Sequence, residues 1–350
     1  MTGTDVARIS GRERLRAKIE TALSGLWYGT ARPPLWARLG ERLFLRIAAE
    51  RRRQFLSGAR KSLRMPVPVI VVGNLTIGGT GKTPLVLWLC EWLKTRGLRP
   101  GILSGGYRGN SSQWPRPVGP ESDPKTVGDE AVLLARRSGV PVMADPVRTR
   151  SAAELLKSGI DVIVCDDGLQ HYQIERDVEF VVIDGARGFG NGHCLPAGPL
   201  REPVERLTEA DFVVVNGETG LDLRECLRMR VAPVELRNVA DPRRTRPLDE
   251  VKGWRAHAVA GIGNPQRFFD TLTDLGINFV PHALPDHVEI EPAWLEFGDD
   301  LAVIMTEKDA VKCESWAAPN FWFVRVAATL EPHVVEGLTT RLAALLRISV

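Results

Sequence analysis

No run of about eighteen apolar residues occurs anywhere in this 350-residue chain, so no membrane-spanning helix is expected. The N-terminus also lacks the basic stretch, apolar core and small-residue cleavage site of a secretory signal. Cysteine is scarce: the five, at 90, 165, 194, 226 and 313, are odd in number and show no Cys-x-x-Cys spacing. A disulfide framework and a zinc ribbon are thereby excluded, and the thiols read as reduced, in a cytosolic setting. There is no internal repeat. Aromatics do not interleave with the basic residues and no nucleic-acid recognition fold is legible, so no nucleic-acid partner is expected.

What is present is a hydrophobic content of 44%, enough for ordinary packed cores, over a length that suggests two domains. Net charge is only +3, but it is unevenly placed. Residues 32–64 carry ten Lys or Arg against Glu41 and Glu50, which leaves an excess of eight positive charges there. Within that block Trp36, Leu39, Leu43 and Ile47 fall on one helical stripe, with Leu35 and Phe44 widening it and Arg38, Arg42 and Arg46 beside it. Such a basic amphipathic helix either lies in the headgroup region of an anionic membrane or turns its apolar side to a core.

From residue 66 onward apolar runs alternate with helical patterns, the signature of a mostly parallel sheet with helices on its faces. Strands are expected at 67–72, 100–104, 140–143, 161–165, 178–183 and 211–215, with helices at 82–96, 128–138 and 147–158. The stretch Asp241-Pro242-Arg243-Arg244-Thr245-Arg246-Pro247 reads as an exposed linker. A smaller α/β unit follows it, opening at Ala256–Gly263 and adding strands near 301–305 and 321–326. The expected layout is therefore an N-terminal membrane-surface segment 1–64, a P-loop domain 65–239 and a second α/β domain 249–350.

The octet Thr76-Ile77-Gly78-Gly79-Thr80-Gly81-Lys82-Thr83 follows the apolar run Val69–Val72 and precedes a helical pattern. Strand, glycine-rich turn and helix start together aim backbone N–H groups and a positive helix end at an anion, the arrangement that cradles nucleotide phosphates. Lys82 would reach the outer phosphates and Thr83 would hold Mg²⁺. The strict pattern wants glycine where Thr76 stands. Asp161–Cys165 is an apolar strand that delivers Asp166 and Asp167 at its C-terminal end, where ligands bind in open α/β sheets; a carboxylate there suits Mg²⁺, a hard octahedral ion.

Other candidates are less specific. Gly128-Asp129-Glu130 opens a helix, and Asp129 is either an ordinary acid at a helix N-terminus or the acceptor of a proton from an attacking hydroxyl. Arg201, in the rigid loop Leu195–Pro203, either binds a phosphate on the acceptor or pairs with Glu202. Asp286-His287 lies far along the second unit. Thr306-Glu307-Lys308-Asp309 has its lysine directly before the aspartate, the wrong register for a guanine-reading element, so GTP is not inferred.

Taken in order, these segments resemble the lipid A 4'-kinase family, the tetraacyldisaccharide 4'-kinases. The resemblance runs from about residue 27 to about residue 330. It rests on Val67–Thr76, Gly78–Pro84, Ser104-Gly105-Gly106-Tyr107-Arg108-Gly109, Val127–Glu130, Asp166-Asp167-Gly168-Leu169-Gln170-His171, Leu195–Pro203 and Thr306–Lys312. It implies transfer of the ATP γ-phosphate to the 4'-hydroxyl of tetraacyldisaccharide 1-phosphate, giving lipid IVA at the cytoplasmic face of the bacterial inner membrane, with no obligate protein partner. It further implies Asp129 as the base, assisted by His287 beside Asp286, with Lys82 on the nucleotide. Asp166 and Asp167 would stand at Mg²⁺, and Arg201, Glu202, Gln170 and His171 on the acceptor side. The competing reading from the residues alone is a P-loop ATPase or GTPase switch acting on a protein partner.

Overall fold

A computed structural model describes residues 11–346 except Arg224. The first ten residues of the expected segment 1–64 and the last four of the expected domain 249–350 lie outside the described residues. The chain divides into two compact units, one of residues 25–231 and 328–350, the other of residues 1–24 and 232–327.

The helical segment α1 (Gly11–Tyr28), most of which belongs to the other unit, precedes α2 (Leu35–Leu56) of the first. Then follow β1 (Val69–Gly73), α3 (Lys82–Lys94), β2 (Pro100–Ser104), β3 (Arg116–Val118), α4 (Pro124–Val127), α5 (Asp129–Ser138), β4 (Val142–Ala144), α6 (Arg148–Leu156), β5 (Val162–Asp166), β6 (Val178–Asp184) and β7 (Phe212–Asn216). β8 (Leu227–Asn238) starts here and carries the chain onward. The strand order is β8-β7-β6-β1-β5-β2-β4-β3, parallel throughout except for the edge strand β3 against β4. β1, β5 and β6 are buried along their whole length. Helices cover both faces of such strands, which is why they read as unbroken apolar runs instead of alternating ones.

β1 lies between β5 and β6, and the chain fills the β5 side of the sheet before crossing to the β6 side. That switch point is where open α/β sheets bind ligands. α3 buries Leu85, Val86, Leu89, Cys90, Trp92 and Leu93, which fixes its N-terminus at the end of β1.

α2 meets the unit with Ala37, Phe44 and Leu45, the latter two against a cluster of Leu75, Leu169, Val181, Cys194 and Leu200. The stripe of Trp36, Leu39, Leu43 and Ile47 is more than half exposed, and Arg38, Arg42 and Arg46 are exposed beside it. The apolar stripe is thus the outer face of the helix.

The second unit contains β9 (Thr245–Arg246), β10 (Arg255–Ala260), α7 (Pro265–Asp274), β11 (Asn278–Ala283), β12 (Ala302–Thr306), α8 (Glu307–Cys313) and most of β13 (Phe321–Leu330). β11-β10-β12-β13 is a parallel run, and β9 pairs antiparallel with β8. Alternation along β10 sends Ala256, Ala258 and Ala260 to a core with Phe268, Phe269 and Leu272 of α7, and Val259 to the opposite core with Val303, Met305 and Ala310. α9 (Pro332–Leu346) returns to the first unit, where Trp92 Nε1 donates to Thr339 Oγ1 at 3.2 Å. All five cysteines are free thiols.

Candidate active site

Gly78 and Gly81 take φ of 106° and 101°, the left-handed region that lets the octet turn and enter α3. Gly81 is also boxed in: a Cβ there would lie 2.4 Å from Asn216 Nδ2, which donates to Thr80 O at 2.9 Å. Asn74, directly after β1, donates from Nδ2 to Gly78 O at 3.3 Å and receives Lys82 Nζ on Oδ1 at 3.0 Å. The outer side of the loop is held by Ile77 N donating to Pro199 O at 2.8 Å and by an antiparallel bridge between Thr76 and Leu200. Thr76 is buried in that bridge, a physical reason for a residue other than glycine at the head of the octet. Thr80 Oγ1 is buried without a hydrogen-bond partner among the described residues.

Asp166 ends β5 and Asp167 follows in the left-handed region, φ 48°. Asp167 accepts from both terminal nitrogens of Arg201, at 2.9 and 3.1 Å, and stands 3.6 Å from Lys82 Nζ. Burial works against its ionisation, but Lys82 and Arg201 together hold the carboxyl well below the usual range. Asp166 behaves oppositely. Burial first, then the charge of Glu130, pushes it up to about 7. Its Oδ1 is buried with no hydrogen-bond partner among the described residues, while Arg148, itself buried, donates Nη2 to the Asp166 carbonyl at 2.8 Å. A buried carboxylate oxygen at a strand end is the kind of oxygen ligand a hard divalent cation takes, so Asp166 fits Mg²⁺, and Thr83, the second residue of α3, offers a hydroxyl at the start of that helix. Asp167 is already engaged by two cations.

Arg201 also reaches back to Asn74, donating Nη2 to its carbonyl at 3.2 Å and bonding its Oδ1. It pairs with Asp167, and Glu202 turns elsewhere: Tyr172 OH donates to Glu202 Oε2 at 3.1 Å and Arg206 Nε lies 3.3 Å away. Arg206 in turn clasps Glu179 at 2.5 and 2.7 Å, and Arg176 joins at 2.8 Å, so Glu202 belongs to a buried ion cluster behind the loop. Gln170 Nε2 lies 3.5 Å from Asn74 O. His171 is pushed down to about 4 by burial first and by Arg148 next.

Asp129 is buried in the first turn of α5, its Oδ1 accepting Glu130 N at 2.9 Å. Gly128 has φ 92° and a Cβ there would lie 2.7 Å from Tyr107 O, so only glycine lets the turn bring the acid in. α5 packs on α3, and the Glu130 charge bears on Asp166. The structure therefore gathers Lys82, Thr83, Asp129, Asp166, Asp167, Gln170, His171 and Arg201 in the first unit. Asp286 and His287 belong to the second. There, His287 has φ 55° and its N donates to Gly261 O at 3.3 Å.

The loop bearing Arg201 is tied to α2. Glu41 accepts Cys194 N at 2.6 Å and meets His193 Nδ1 at 2.9 Å, and Trp27 Nε1 donates to Pro196 O at 3.0 Å. Residues that the sequence reading missed include Asn74, Arg148, Asn216 and Arg187. Arg187 lies over the Tyr28 ring at 4.9 Å, and its Nη1 would be 3.7 Å from a Cβ on Gly78. Only Asn74, adjoining the octet, carried a local signal.

Three comparisons with known proteins bear on this site. The sequence model of one family, described as LpxK, tetraacyldisaccharide-1-P 4'-kinase, matches residues 37–343. A tetraacyldisaccharide 4'-kinase of Pseudomonas aeruginosa is 48% identical over 308 residues, covering 87% of this chain and 92% of its own length. One of Pseudomonas putida is 47% identical over 327 residues, covering 93% and 98%. Among solved structures, the "apo" form of LpxK from Aquifex aeolicus in complex with ATP superposes with a TM-score of 0.72 at 26% identity, covering 87% of this chain and 97% of that one.

Proposed function

The chain belongs to the LpxK family of tetraacyldisaccharide-1-P 4'-kinases, and from that premise we propose how its own residues carry the reaction. It is a kinase that moves the γ-phosphoryl group of ATP to the 4'-hydroxyl of tetraacyldisaccharide 1-phosphate. The O4'–P bond forms, the bond from Pγ to the β-phosphate oxygen breaks, the hydroxyl proton leaves to a base, and ADP departs. The reading as a P-loop switch acting on a protein partner gives way to this one, because relatives spanning nearly the whole chain are named for the kinase activity.

The observation that carries the assignment of residues is Lys82, held at the mouth of the octet between Asn74 and Asp167, with Asp166 Oδ1 unpartnered beside it. Phosphoryl transfer gathers negative charge on the equatorial oxygens, so acceleration comes from positioning, from Lys82 and from the loop amides. Thr83 and Asp166 would hold Mg²⁺, which would supply neutralisation of phosphate charge. Asp129 takes the proton late and is assisted by His287, with Asp286 beside it. Arg201 keeps Asp167 ionised and reads the acceptor, with Gln170 and His171 flanking it and Glu202 bracing the loop from behind.

The enzyme works at the cytoplasmic face of the inner membrane, resting α2 on anionic headgroups. The exposed Trp36, Leu39, Leu43 and Ile47 beside Arg38, Arg42 and Arg46 support this, and no helix of the described residues is long and apolar enough to cross a bilayer. The test is purified protein with Mg²⁺, γ-labelled ATP and detergent-dispersed tetraacyldisaccharide 1-phosphate. Label on the lipid, lost in Lys82→Ala and Asp129→Ala, is the expected result. Label released only as free phosphate, whatever the lipid, overturns the reading.

A further inference from the structure

The second unit holds a contact that the sequence reading did not anticipate. Lys308, the second residue of α8, places its Nζ 2.9 Å from His287 Nε2. Asp286, the sequence neighbour expected to accompany the histidine, has its nearest oxygen 3.7 Å from the same Nε2, beyond hydrogen-bond reach, and 3.7 Å from Lys308 Nζ. All three side chains are at least seven-tenths buried, with exposures of 16% for Lys308, 12% for His287 and 28% for Asp286.

An ammonium group has three donors and no acceptor, so a hydrogen bond from Lys308 requires a lone pair on Nε2. A neutral imidazole with its lone pair on Nε2 carries its proton on Nδ1. We infer that Lys308 is a positioning residue that fixes the tautomer of His287, making Nδ1–H a donor and closing Nε2 as a proton acceptor. This rests on the proposed catalytic role of His287. It sharpens that role, since His287 then acts through a donor at Nδ1 and takes no proton at Nε2.

The placement of Lys308 is built into the fold. Thr306 caps α8: its hydroxyl donates to Asp309 Oδ2 at 2.7 Å and accepts Asp309 N at 3.2 Å. Asp309 Oδ2 also accepts Gly261 N at 2.8 Å, and its Oδ1 accepts Lys312 Nζ at 2.8 Å. Gly261 is the residue whose carbonyl receives His287 N. One buried carboxylate therefore sets the start of α8, and with it Lys308, in register with the turn that presents His287. Lys312 pairs with that carboxylate on its other oxygen.

The experiment uses the full chain labelled with ¹⁵N-histidine. Six histidines give a countable long-range ¹H–¹⁵N spectrum, and His287→Gln identifies the signal. The expected spectrum has an unprotonated Nε2 and a protonated Nδ1 for His287. In Lys308→Met the signal moves toward the Nε2–H form preferred by free imidazole, kcat falls about tenfold with KM for ATP unchanged, and Lys308→Arg recovers both. A protonated Nε2 in the unaltered protein, or a His287 signal unmoved in a folded Lys308→Met variant, overturns the inference. If His287→Gln keeps full transfer while the Lys308→Met shift is still seen, the catalytic reading of His287 fails and the tautomer assignment stands.

Discussion

Arg201 and Asp167 are joined fork to fork, with two nitrogens of one on two oxygens of the other at 2.9 and 3.1 Å, although 34 residues separate them. The pair is bidentate, partly buried and continued to Asn74, the residue that also holds Lys82. Removing Arg201 therefore frees Asp167 to close on Lys82 and pull it from the phosphates. Arg201→Ala is expected to lower kcat/KM by about ten- to a hundredfold, with KM for ATP raised as well as that for the lipid. Steady-state kinetics with each substrate varied in turn would decide it, since a change confined to the lipid KM points to acceptor binding alone.

His171 and Asp166 pull stability in opposite directions with pH. Burial, then Arg148, lowers His171 from 6.5 to about 4, so the unfolded chain binds the extra proton in that window and stability rises with pH across it. Burial, then Glu130, raises Asp166 from 3.8 to about 7, so there the folded state holds the extra proton and stability falls as pH rises. Thermal melts in metal-free buffer, read as the Tm difference from wild type, should show the His171→Gln difference falling as pH rises from 4 to 7, because the variant lacks the acid-end penalty, and the Asp166→Asn difference rising. Parallel melting curves for the two variants would refute the assignment.

Gly73 closes β1 against the turn after the acid pair. A Cβ there would sit 2.5 Å from Leu169 Cβ and 3.0 Å from Leu169 N, with backbone on one side and a fully buried leucine on the other. Gly73→Ala should cost about 1–3 kcal/mol in urea unfolding. It should also lower turnover beyond the stability loss, because Asn74 is the next residue. Wild-type kcat in the folded variant would sever that link.

The two faces of α2 separate by mutation. Leu39→Glu with Leu43→Glu, on the outer face, should weaken sedimentation with anionic vesicles while leaving turnover on detergent-dispersed lipid within about twofold. Gly40→Leu should do the reverse, because even a Cβ at Gly40 would meet Pro196 Cγ at 2.9 Å and pry the helix from the loop. Vesicle binding by the double glutamate variant at the unaltered level would remove α2 from the membrane surface.

The strands of the first unit were legible because burial on both faces leaves them mostly apolar, Glu179 and the strand-end Ser104 and Asp184 apart: 100–104 and 178–183 fall within a residue of β2 and β6. β11 was missed for the opposite reason. It is an edge strand, largely exposed and interrupted by Pro281, so no period survives in its sequence. β8 escaped because its start alternates, Leu227-Arg228-Met229-Arg230-Val231, with exposed arginines between the apolar residues, and so lacks the unbroken apolar run that marked the others. At the site, the octet and the acid pair could be read because each is contiguous. The grip of Arg148 on the Asp166 carbonyl, or of Lys308 on His287, exists only once α6 has packed on β2, the neighbour of β5, or α8 has met the turn after β11, and no local spacing encodes it.

The joint between α2 and the Pro196 loop also acts as a depth gauge. With Glu41 on Cys194 and His193, and Gly40 against Pro196, helix and loop form one solid piece that ends at Arg201. A lipid acceptor keeps its sugar at a set height above the acyl chains, so an enzyme that reaches it must rest at a matching height. With α2 on the headgroups as proposed, the level at which Trp36, Leu39 and Leu43 settled would fix how far above them Arg201, Asp167 and the phosphate loop are carried.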